Sequence, residues 1–209
     1  MYLLAPKGWG LHIVCGTDNH EFVKESLKDL NQFTTQVIPF DNLTEQLYNA
    51  LLTNPGFYES IITSSVSKLE HILIFQTDTI LLKDNIEDYL QYDYIGAPWQ
   101  HTLQLSIQVG GKAIGMNGGL SLRKIDKMIQ VCKERRIQAV NGVLENEDGW
   151  ICFKNYDMLN LPMLQKACEF SVETVWSNDV EIPTGFHATY KFQPEEKIKK
   201  CLSTVLNLI

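Results

Sequence analysis

The sequence predicts an α/β fold in which helices flank a mixed, mostly parallel central sheet. Two observations carry this prediction. Ile72 to Phe75 form a continuous apolar run, which is typical of a strand that is covered on both faces. Leu11 to Cys15 predict an earlier buried strand, and the turn after it, Gly16 to Asn19, ends in a good helix N-cap. A strand, a tight turn and a helix in this order open a βαβ unit.

The other elements follow from periodicity and from turn residues, taken in chain order. Apolar residues at helical spacing predict helices over His20 to Phe33, Asn42 to Asn54, Tyr58 to Leu69, Ile86 to Leu90, Ile125 to Arg136 and Glu195 to Leu208. Short apolar or alternating segments predict strands over Gln36 to Phe40, Leu105 to Val109, Leu120 to Arg123 and Ser171 to Thr174. Helices therefore separate most of the strands, as an α/β fold requires.

Length, charge and cysteine spacing restrict the class of protein. The chain has 209 residues, of which 44% are hydrophobic, and this fits one globular domain over residues 1–209. Its net charge is −7 and its Lys and Arg residues are scattered, which argues against a nucleic-acid surface. Five widely spaced cysteines without a C-x-x-C pair predict free, buried thiols in a reducing compartment.

Both ends of the chain support expectations about its context. The apolar stretch near Met1 is short and contains a Lys, so no signal peptide is predicted, and no later stretch reaches membrane-spanning length. We therefore expect a cytoplasmic protein without a membrane segment. The chain ends on apolar residues, which suggests a piece of a longer polypeptide that carries further domains.

The first candidate site residue is Asp78, which follows the apolar strand Ile72 to Phe75. In open α/β sheets, ligands bind beyond the carboxyl ends of the strands, where an acid can hold a cation or a ligand hydroxyl. The alternative is a polar corner, because Thr77, Asp78 and Thr79 also suit a turn between two strands. The residues alone leave both interpretations open.

A glycine-rich segment, Gly115 to Arg123, is the second candidate. Three glycines and an Asn before an alternating strand indicate that another group approaches this backbone closely. A bound sugar diphosphate would explain this approach, and so would a bulge at a sheet edge. The segment is not a P-loop, because no Gly-Lys-Ser/Thr follows, and it is not a Rossmann fingerprint, because it precedes a strand.

Four further features each allow a functional and a structural interpretation. The aromatic loop with Tyr94, Pro98 and Trp99 suits either sugar stacking or the core. The acids from Glu145 to Asp148 suit a general base or the start of a helix, and Glu173 lies where it can line a cleft. Lys68 reaches either a phosphate or solvent, and His187 is either a ligand or a structural histidine.

Taken together, several segments resemble glycosyltransferases of the GT-A fold. The matching phrases are FQTDTILL, YDYIGAPW from Tyr92, GMNGGLSLRK from Gly115, ENEDGW from Glu145 and PTGFHATYKF from Pro183. They occur in the order of that family and span about Leu11 to Phe192. The resemblance is closer to glycosyltransferase domains of chloroviruses, giant viruses of algae, which are thought to build capsid glycans. There is one departure, since Gln76 stands where the usual Asp-x-Asp motif has its first acid.

The resemblance implies a GT-A fold with a nucleotide-binding half at about residues 1–82 and an acceptor-side half at about 83–209. It implies transfer of a sugar, rhamnose or glucose, from a UDP-sugar to a glycan or glycoprotein hydroxyl in viral capsid glycan synthesis, in the host cytoplasm. Asp78 and His187 would bind Mn2+ or Mg2+, and Asp148 would be the base of an inverting reaction. The remaining donor-binding residues would be Gly16, Thr17, Lys68, Gln76, Thr77, Asp78, Asn117, Gly118, Gly119 and Lys191.

Two other functions stay open at this point. A sugar-nucleotide nucleotidyltransferase shares the sheet and the acids, but it normally has a basic glycine-rich loop after the first strand, where Gly16 to His20 contain no Lys or Arg. A carbohydrate-binding module of the same fold would need no catalytic acids, and the amide at Gln76 favours it.

Overall fold

Helices and short strands alternate along the computed structural model, which describes residues 8–30, 33–64 and 68–206. The strands are β1 Leu11–Gly16, β2 Phe33–Ile38, β3 His71–Phe75, β4 Thr79–Leu81, β5 Tyr94–Ile95, β6 Leu120–Lys124, β7 Ser171–Val172 and β8 Gly185–His187. The α-helices are α1 His20–Ser26, α2 Glu45–Leu52, α3 Pro55–Ser64, α4 Leu103–Gln108, α5 Ile125–Glu134, α6 Leu164–Phe170 and α7 Glu195–Leu206. Short 3-10 turns at Ile86–Tyr89, Gln100–Thr102, Tyr156–Met158 and Thr189–Lys191 and a π-helical segment at Gly149–Lys154 complete the order. The predicted mixed α/β class is therefore confirmed.

The strands form three open sheets in the described residues: β1-β2, β3-β6-β5 and β4-β8-β7. Pairing is parallel between β1 and β2 and between β7 and β8, but β3, β5 and β4 each pair antiparallel with their neighbours. The prediction of a mostly parallel sheet is thus wrong, while the mixed sheet is confirmed. The prediction rested on the continuous apolar run of β3, but such a run indicates burial and does not determine the direction of the neighbouring strand. Even so, β3 is only half-buried, and Phe75 at its end is exposed.

The main core lies between the β3-β6-β5 sheet and the helices α3 and α5. Helix α5 turns Ile125, Met128, Val131 and Cys132 inward, which is the three- and four-residue spacing of one helical face. Tyr58 of α3 is fully buried in the same core. The amphipathic helix predicted over Ile125 to Arg136 is confirmed. All five cysteines are buried and free, as predicted.

A smaller core covers the β4-β8-β7 sheet. Leu82, Val172, Trp176, Phe186 and Cys201 form it, and the last of these belongs to α7. The aromatic rings of Trp176 and Phe186 meet edge to face at 5.0 Å between centroids. The helix predicted over Glu195 to Leu208 is therefore observed as α7, which packs against this sheet, although the end predicted for it at Leu208 lies outside the described residues.

Several predicted elements differ from the observed ones. The segment predicted as a strand at Leu105 to Val109 belongs to helix α4, whose Leu105 and Ile107 are exposed. Apolar and polar residues alternate in this segment, but the buried residue is the polar Ser106. Its hydroxyl hydrogen-bonds the backbone of Ile114 at 3.2 and 3.3 Å. Helix α1 already ends at Ser26, and α3 begins at Pro55 and ends at Ser64. The predicted ends at Phe33 and Leu69 crossed residues 31–32 and 65–67, which lie outside the described residues.

None of the helices that the structure describes combines the length and the apolar character that crossing a bilayer requires.

Candidate active site

The β4-β8-β7 sheet brings three predicted site residues into one row. Thr79 pairs with His187 in the antiparallel β4-β8 ladder, so Asp78, one residue earlier, lies at the end of β8. The backbone N–H of Ala188 donates to the carbonyl of Asp78 at 3.2 Å. On the other side of β8, Val172 pairs with Phe186 in parallel, so Glu173 lies beside His187. Strand register therefore places His187 between two carboxylates.

Side-chain distances show how closely this row is packed. Nε2 of His187 lies 3.4 Å from Oδ1 of Asp78 and 3.1 Å from Oε1 of Gln76. Nδ1 of the same ring lies 3.3 Å from Oε1 of Glu173. Nζ of Lys191 lies 3.5 Å from the other oxygen of Asp78. The side chains of His187 and Glu173 are buried, whereas Asp78 is partly open to solvent. We call Gln76, Asp78 and His187 the metal-side cluster.

The metal-side cluster contains the kinds of side-chain atoms that could hold a divalent cation. Ligands about 2.1 Å from a cation in neighbouring octahedral positions lie about 3.0 Å apart, and the contacts of Nε2 with Gln76 and Asp78 come near this spacing. Carboxylate, amide oxygen and imidazole suit Mn2+. In the described part of the chain, no group of three or more His, Cys, Asp and Glu side chains could hold a metal. The fit therefore depends on two such side chains and one amide.

The glycine-rich segment passes directly over this cluster. The carbonyl of Gly119 accepts hydrogen bonds from the backbone N–H of Gln76 at 2.8 Å and from the hydroxyl of Thr79 at 3.1 Å. A Cβ atom added at Gly119 would lie only 2.2 Å from Nε2 of His187. The close approach of His187 thus requires a glycine at this position, which is a stronger reason than a sheet-edge bulge.

The same segment connects the metal-side cluster to Asp148. Nδ2 of Asn117 donates to Oε1 of Glu173 at 2.9 Å, and Oδ1 of Asn117 accepts from the backbone N–H of Gly119 at 2.6 Å. The backbone N–H of Gly118 donates to Oδ2 of Asp148 at 2.9 Å. We call Asn117, Gly118 and Gly119 the glycine loop. The glycine loop therefore contacts both the metal-side cluster and Asp148.

Asp148 lies at the start of the π-helical segment, where its carboxylate also accepts the backbone N–H of Gly149 at 2.7 Å. Burial, followed by the negative charge of Glu147, raises the pKa of Asp148 to about 7. Its two backbone hydrogen bonds and the charge of Arg123 act in the opposite direction. A carboxylate with this pKa can accept and release a proton near neutral pH.

Arg123 is a site residue that the sequence reasoning missed. It is fully buried, and its guanidinium lies 2.7 Å from Oε1 of Glu147, which is equally buried. It also donates to the hydroxyl of Ser121 at 2.9 Å and to the carbonyl of Gly118 at 3.4 Å. An arginine at the end of an apolar strand, with an acidic cluster elsewhere in the chain, was the available signal. Arg123 therefore links Glu147, the residue before Asp148, to Gly118, whose backbone N–H hydrogen-bonds Asp148.

Two predicted residues lie at the end of the first strand and in the turn after it. A Cβ atom added at Gly16 would lie 2.5 Å from Cα of Asp41, so the chain after β2 crosses this turn closely. Oδ1 of Asp41 accepts the backbone N–H of Asp18 at 2.9 Å. Thr17 is exposed. The hydrogen bonds and ion pairs of the described residues join neither Gly16 nor Thr17 to the metal-side cluster.

The remaining predicted residues divide between the site and the surface. Thr77 is exposed in the turn between Gln76 and Asp78. Lys68 pairs with Glu70 at 2.9 Å, before the start of β3, whereas Gln76 follows its end. Five strand residues span about 16 Å, so Lys68 lies far from the metal-side cluster.

The aromatic loop divides between core and cleft. Tyr94 is fully buried and its ring lies under the guanidinium of Arg123 at 5.0 Å, so it belongs to the core and not to a sugar-stacking surface. Pro98 is buried as well. Trp99 is only half-buried, and a Cβ atom added at Gly149 would lie 3.4 Å from its ring. Trp99 is therefore the one residue of the three that is not fully buried; it lies beside Gly149, and a face of its ring is stacked on His101 at 5.2 Å between centroids.

Comparison with known proteins gives one result. A protein-family model described as "Protein of unknown function (DUF5672)" matches residues 30–187, which include both the metal-side cluster and Asp148. No curated protein and no solved structure matches the chain.

Proposed function

We propose that this chain, which belongs to the DUF5672 family through a model that spans residues 30–187, is a metal-dependent glycosyltransferase of the GT-A fold. The proposal rests on the geometry of the candidate active site. The donor would be a UDP-sugar and the acceptor a glycan hydroxyl. One observation carries the proposal: the glycine loop hydrogen-bonds Gln76 and packs against His187 on one side, and it hydrogen-bonds Asp148 on the other. A cation-binding group and a base on two sides of one loop would together serve metal-dependent, inverting transfer of a diphosphate-linked sugar.

The metal-side cluster would serve the leaving group. Asp78 and His187, with the amide oxygen of Gln76, would hold Mn2+ or Mg2+, and a bound cation neutralises the charge of a departing diphosphate. Asp78 and Glu173 lie on either side of His187, so a cation would offset the repulsion between these acids and two approaching phosphates. The ammonium of Lys191, 3.5 Å from Asp78, is the positive charge that this chain supplies itself.

Asp148 would serve the acceptor. With a pKa of about 7, it is half-deprotonated at neutral pH and takes the proton of an attacking hydroxyl. Backbone hydrogen bonds from Gly118 and Gly149 fix the carboxylate in one orientation. Attack from the face opposite the diphosphate inverts the anomeric configuration. The half-buried ring of Trp99 lies beside Gly149 and is stacked on His101, so a sugar at this position would meet the edge of the ring or the face that His101 leaves uncovered.

The test is the slow hydrolysis of a UDP-sugar without an acceptor, measured as UDP release from a panel that includes UDP-glucose and UDP-rhamnose. We expect release of UDP with Mn2+ and none with EDTA. A carbohydrate-binding module of the same fold is the second candidate, because Gln76 stands where an acid is usual. It would bind glycans and leave every donor intact at all metal concentrations, and that result would contradict the proposed activity.

A further inference from the structure

We propose that Glu173 is a positioning residue, which orients His187 toward the metal-side cluster and couples it to the glycine loop through Asn117. This inference rests on the proposed function, since it assigns a role in cation binding. Glu173 would not itself contact the cation. It would act through the opposite nitrogen of the His187 ring.

The fold places Glu173 where such a role is possible. It directly follows β7, which pairs in parallel with β8, and the register sets it beside His187. Its backbone carbonyl accepts a hydrogen bond from Nε2 of Gln193 at 2.8 Å, so the segment after the 3-10 turn Thr189–Lys191 holds it from the other side. Neighbours on both sides thus restrict the backbone at Glu173.

Burial of this carboxylate requires partners. Glu173 is only 6% exposed, and a buried carboxylate is costly unless it is paired and hydrogen-bonded. Oε1 accepts a hydrogen bond from Asn117 at 2.9 Å and lies 3.3 Å from Nδ1 of His187. These two groups are therefore the partners that make a carboxylate acceptable in this position.

The ring of His187 has complementary needs. Nδ1 is buried, and among the described residues no group forms a well-aligned hydrogen bond with it. The nearest acceptor to it is Oε1 of Glu173 at 3.3 Å, which is within hydrogen-bonding distance. A hydrogen bond at Nδ1 fixes the ring with Nε2 facing Asp78 and Gln76.

Asn117 extends this arrangement to the loop. Its amide uses both ends, since the nitrogen donates to Glu173 and the oxygen accepts from the backbone of Gly119. Gly119 in turn leaves no space for a side chain against Nε2 of His187. Glu173, Asn117 and Gly119 therefore form a chain of contacts that begins and ends on the same histidine.

The experiment measures Mn2+ affinity from the electron paramagnetic resonance signal of free Mn2+, without any substrate. Glu173→Ala should weaken Mn2+ binding about 10- to 100-fold, as is usual when the partner of a metal-binding histidine is removed. Glu173→Gln should retain most of the affinity, because an amide oxygen accepts the same hydrogen bond. Glu173→Asp should lose affinity although it keeps the charge, because its shorter side chain withdraws the acceptor.

Glu169→Ala is the matched control, since it removes a carboxylate paired with Lys166 just before β7 and should bind Mn2+ like the parent. Circular dichroism checks that each variant is folded, and the Gln and Asp variants decide the matter if Glu173→Ala does not fold. If Glu173→Ala or Glu173→Asp binds Mn2+ as tightly as the parent, the inference about Glu173 is wrong, while the proposed function stands. The same holds if Glu173→Gln binds Mn2+ as weakly as Glu173→Ala. A parent that binds no Mn2+ overturns the proposed function and this inference with it.

Discussion

Nε2 of His187 lies 3.4 Å from Oδ1 of Asp78, and the pairing of β4 with β8 is the reason. Strand β4 begins at Thr79, directly after Asp78, and β8 ends at His187. The pairing of β4 with β8 therefore brings the side chains of Asp78 and His187 together. The smaller core with Trp176 and α7 stabilises the same sheet. The geometry of the metal-side cluster therefore depends on a part of the fold that lies outside the main core.

The first prediction concerns the space above His187. Gly119→Ala would place a Cβ atom 2.2 Å from Nε2, so the ring of His187 must move away from Asp78. We expect loss of most of the Mn2+ affinity while the protein remains folded, measured by Mn2+ titration and thermal unfolding. Gly10→Ala is the matched control, because a Cβ atom there meets no atom within 4 Å. Unchanged Mn2+ binding in Gly119→Ala would separate His187 from the metal.

The second prediction concerns the base. Asp148→Asn should retain nucleotide binding and lower turnover by about 10²- to 10⁴-fold, as is typical for a lost general base. Because the pKa of Asp148 is about 7, the parent rate should rise with pH up to about 7 and then level off. The residual rate of the variant should lack this inflection. A variant with parent-like turnover would show that Asp148 is not the base.

Asp148 should also affect stability in a defined pH window. Its pKa is raised in the folded state, so between about pH 4 and 7 the native protein keeps a proton that the unfolded chain has lost. The free energy of unfolding of the parent should therefore fall as pH rises through this window, relative to Asp148→Asn. Urea titrations at pH 4.5 and 8 measure the difference. A difference between parent and variant that does not change with pH would contradict the assigned pKa.

Part of the site was marked by local chemistry, and part only by the resemblance. An acid after an apolar run marked Asp78, and closely spaced glycines marked the glycine loop, whereas Asp148 and His187 were chosen over structural interpretations only because of the resemblance. The structure brings these residues together. It also supports the suggestion that Glu173 lines the cleft, since Glu173 contacts both Asn117 and His187.

The parts that were not predicted depend on distant contacts. No local pattern indicates that β3 pairs antiparallel with β6, because an apolar strand is compatible with either direction. Lys68 was chosen for its nearness in sequence to β3, yet it lies at the wrong end of that strand. Arg123 is buried only because Glu147, from another segment, neutralises it. The GT-A fold and the sugar donor remain predictions.

The third prediction concerns this buried ion pair. Arg123→Ala should destabilise the protein by about 3 to 5 kcal/mol, because it leaves Glu147 buried without a partner. Arg135→Ala is the matched control, since Arg135 pairs with Asp157 at 2.8 Å on the surface and should cost less than about 1 kcal/mol. Urea unfolding measures both. Similar losses for the two variants would show that Arg123 contributes no more than a surface charge.

The fourth prediction concerns the segment after His187. Tyr190 and Phe192 are exposed, while Lys191 between them reaches Asp78. If this segment closes over a bound donor, chymotrypsin should cleave after Tyr190 and Phe192 more slowly when UDP and Mn2+ are present. Cleavage after the exposed Phe22 provides the internal control. If UDP and Mn2+ leave the rate of cleavage after Tyr190 and Phe192 unchanged, the segment does not close over the donor.

The most direct measurement is calorimetric titration of UDP into the parent and Asp78→Ala, each in Mn2+ and in EDTA. Asp84→Ala, which removes an exposed acid just after β4, is the control. The account predicts that Asp78→Ala weakens UDP binding in Mn2+ by about tenfold or more, equivalent to at least about 1.4 kcal/mol, and changes it little in EDTA. Equal UDP affinity of the parent and Asp78→Ala in Mn2+ would contradict a metal-dependent nucleotide site at Asp78.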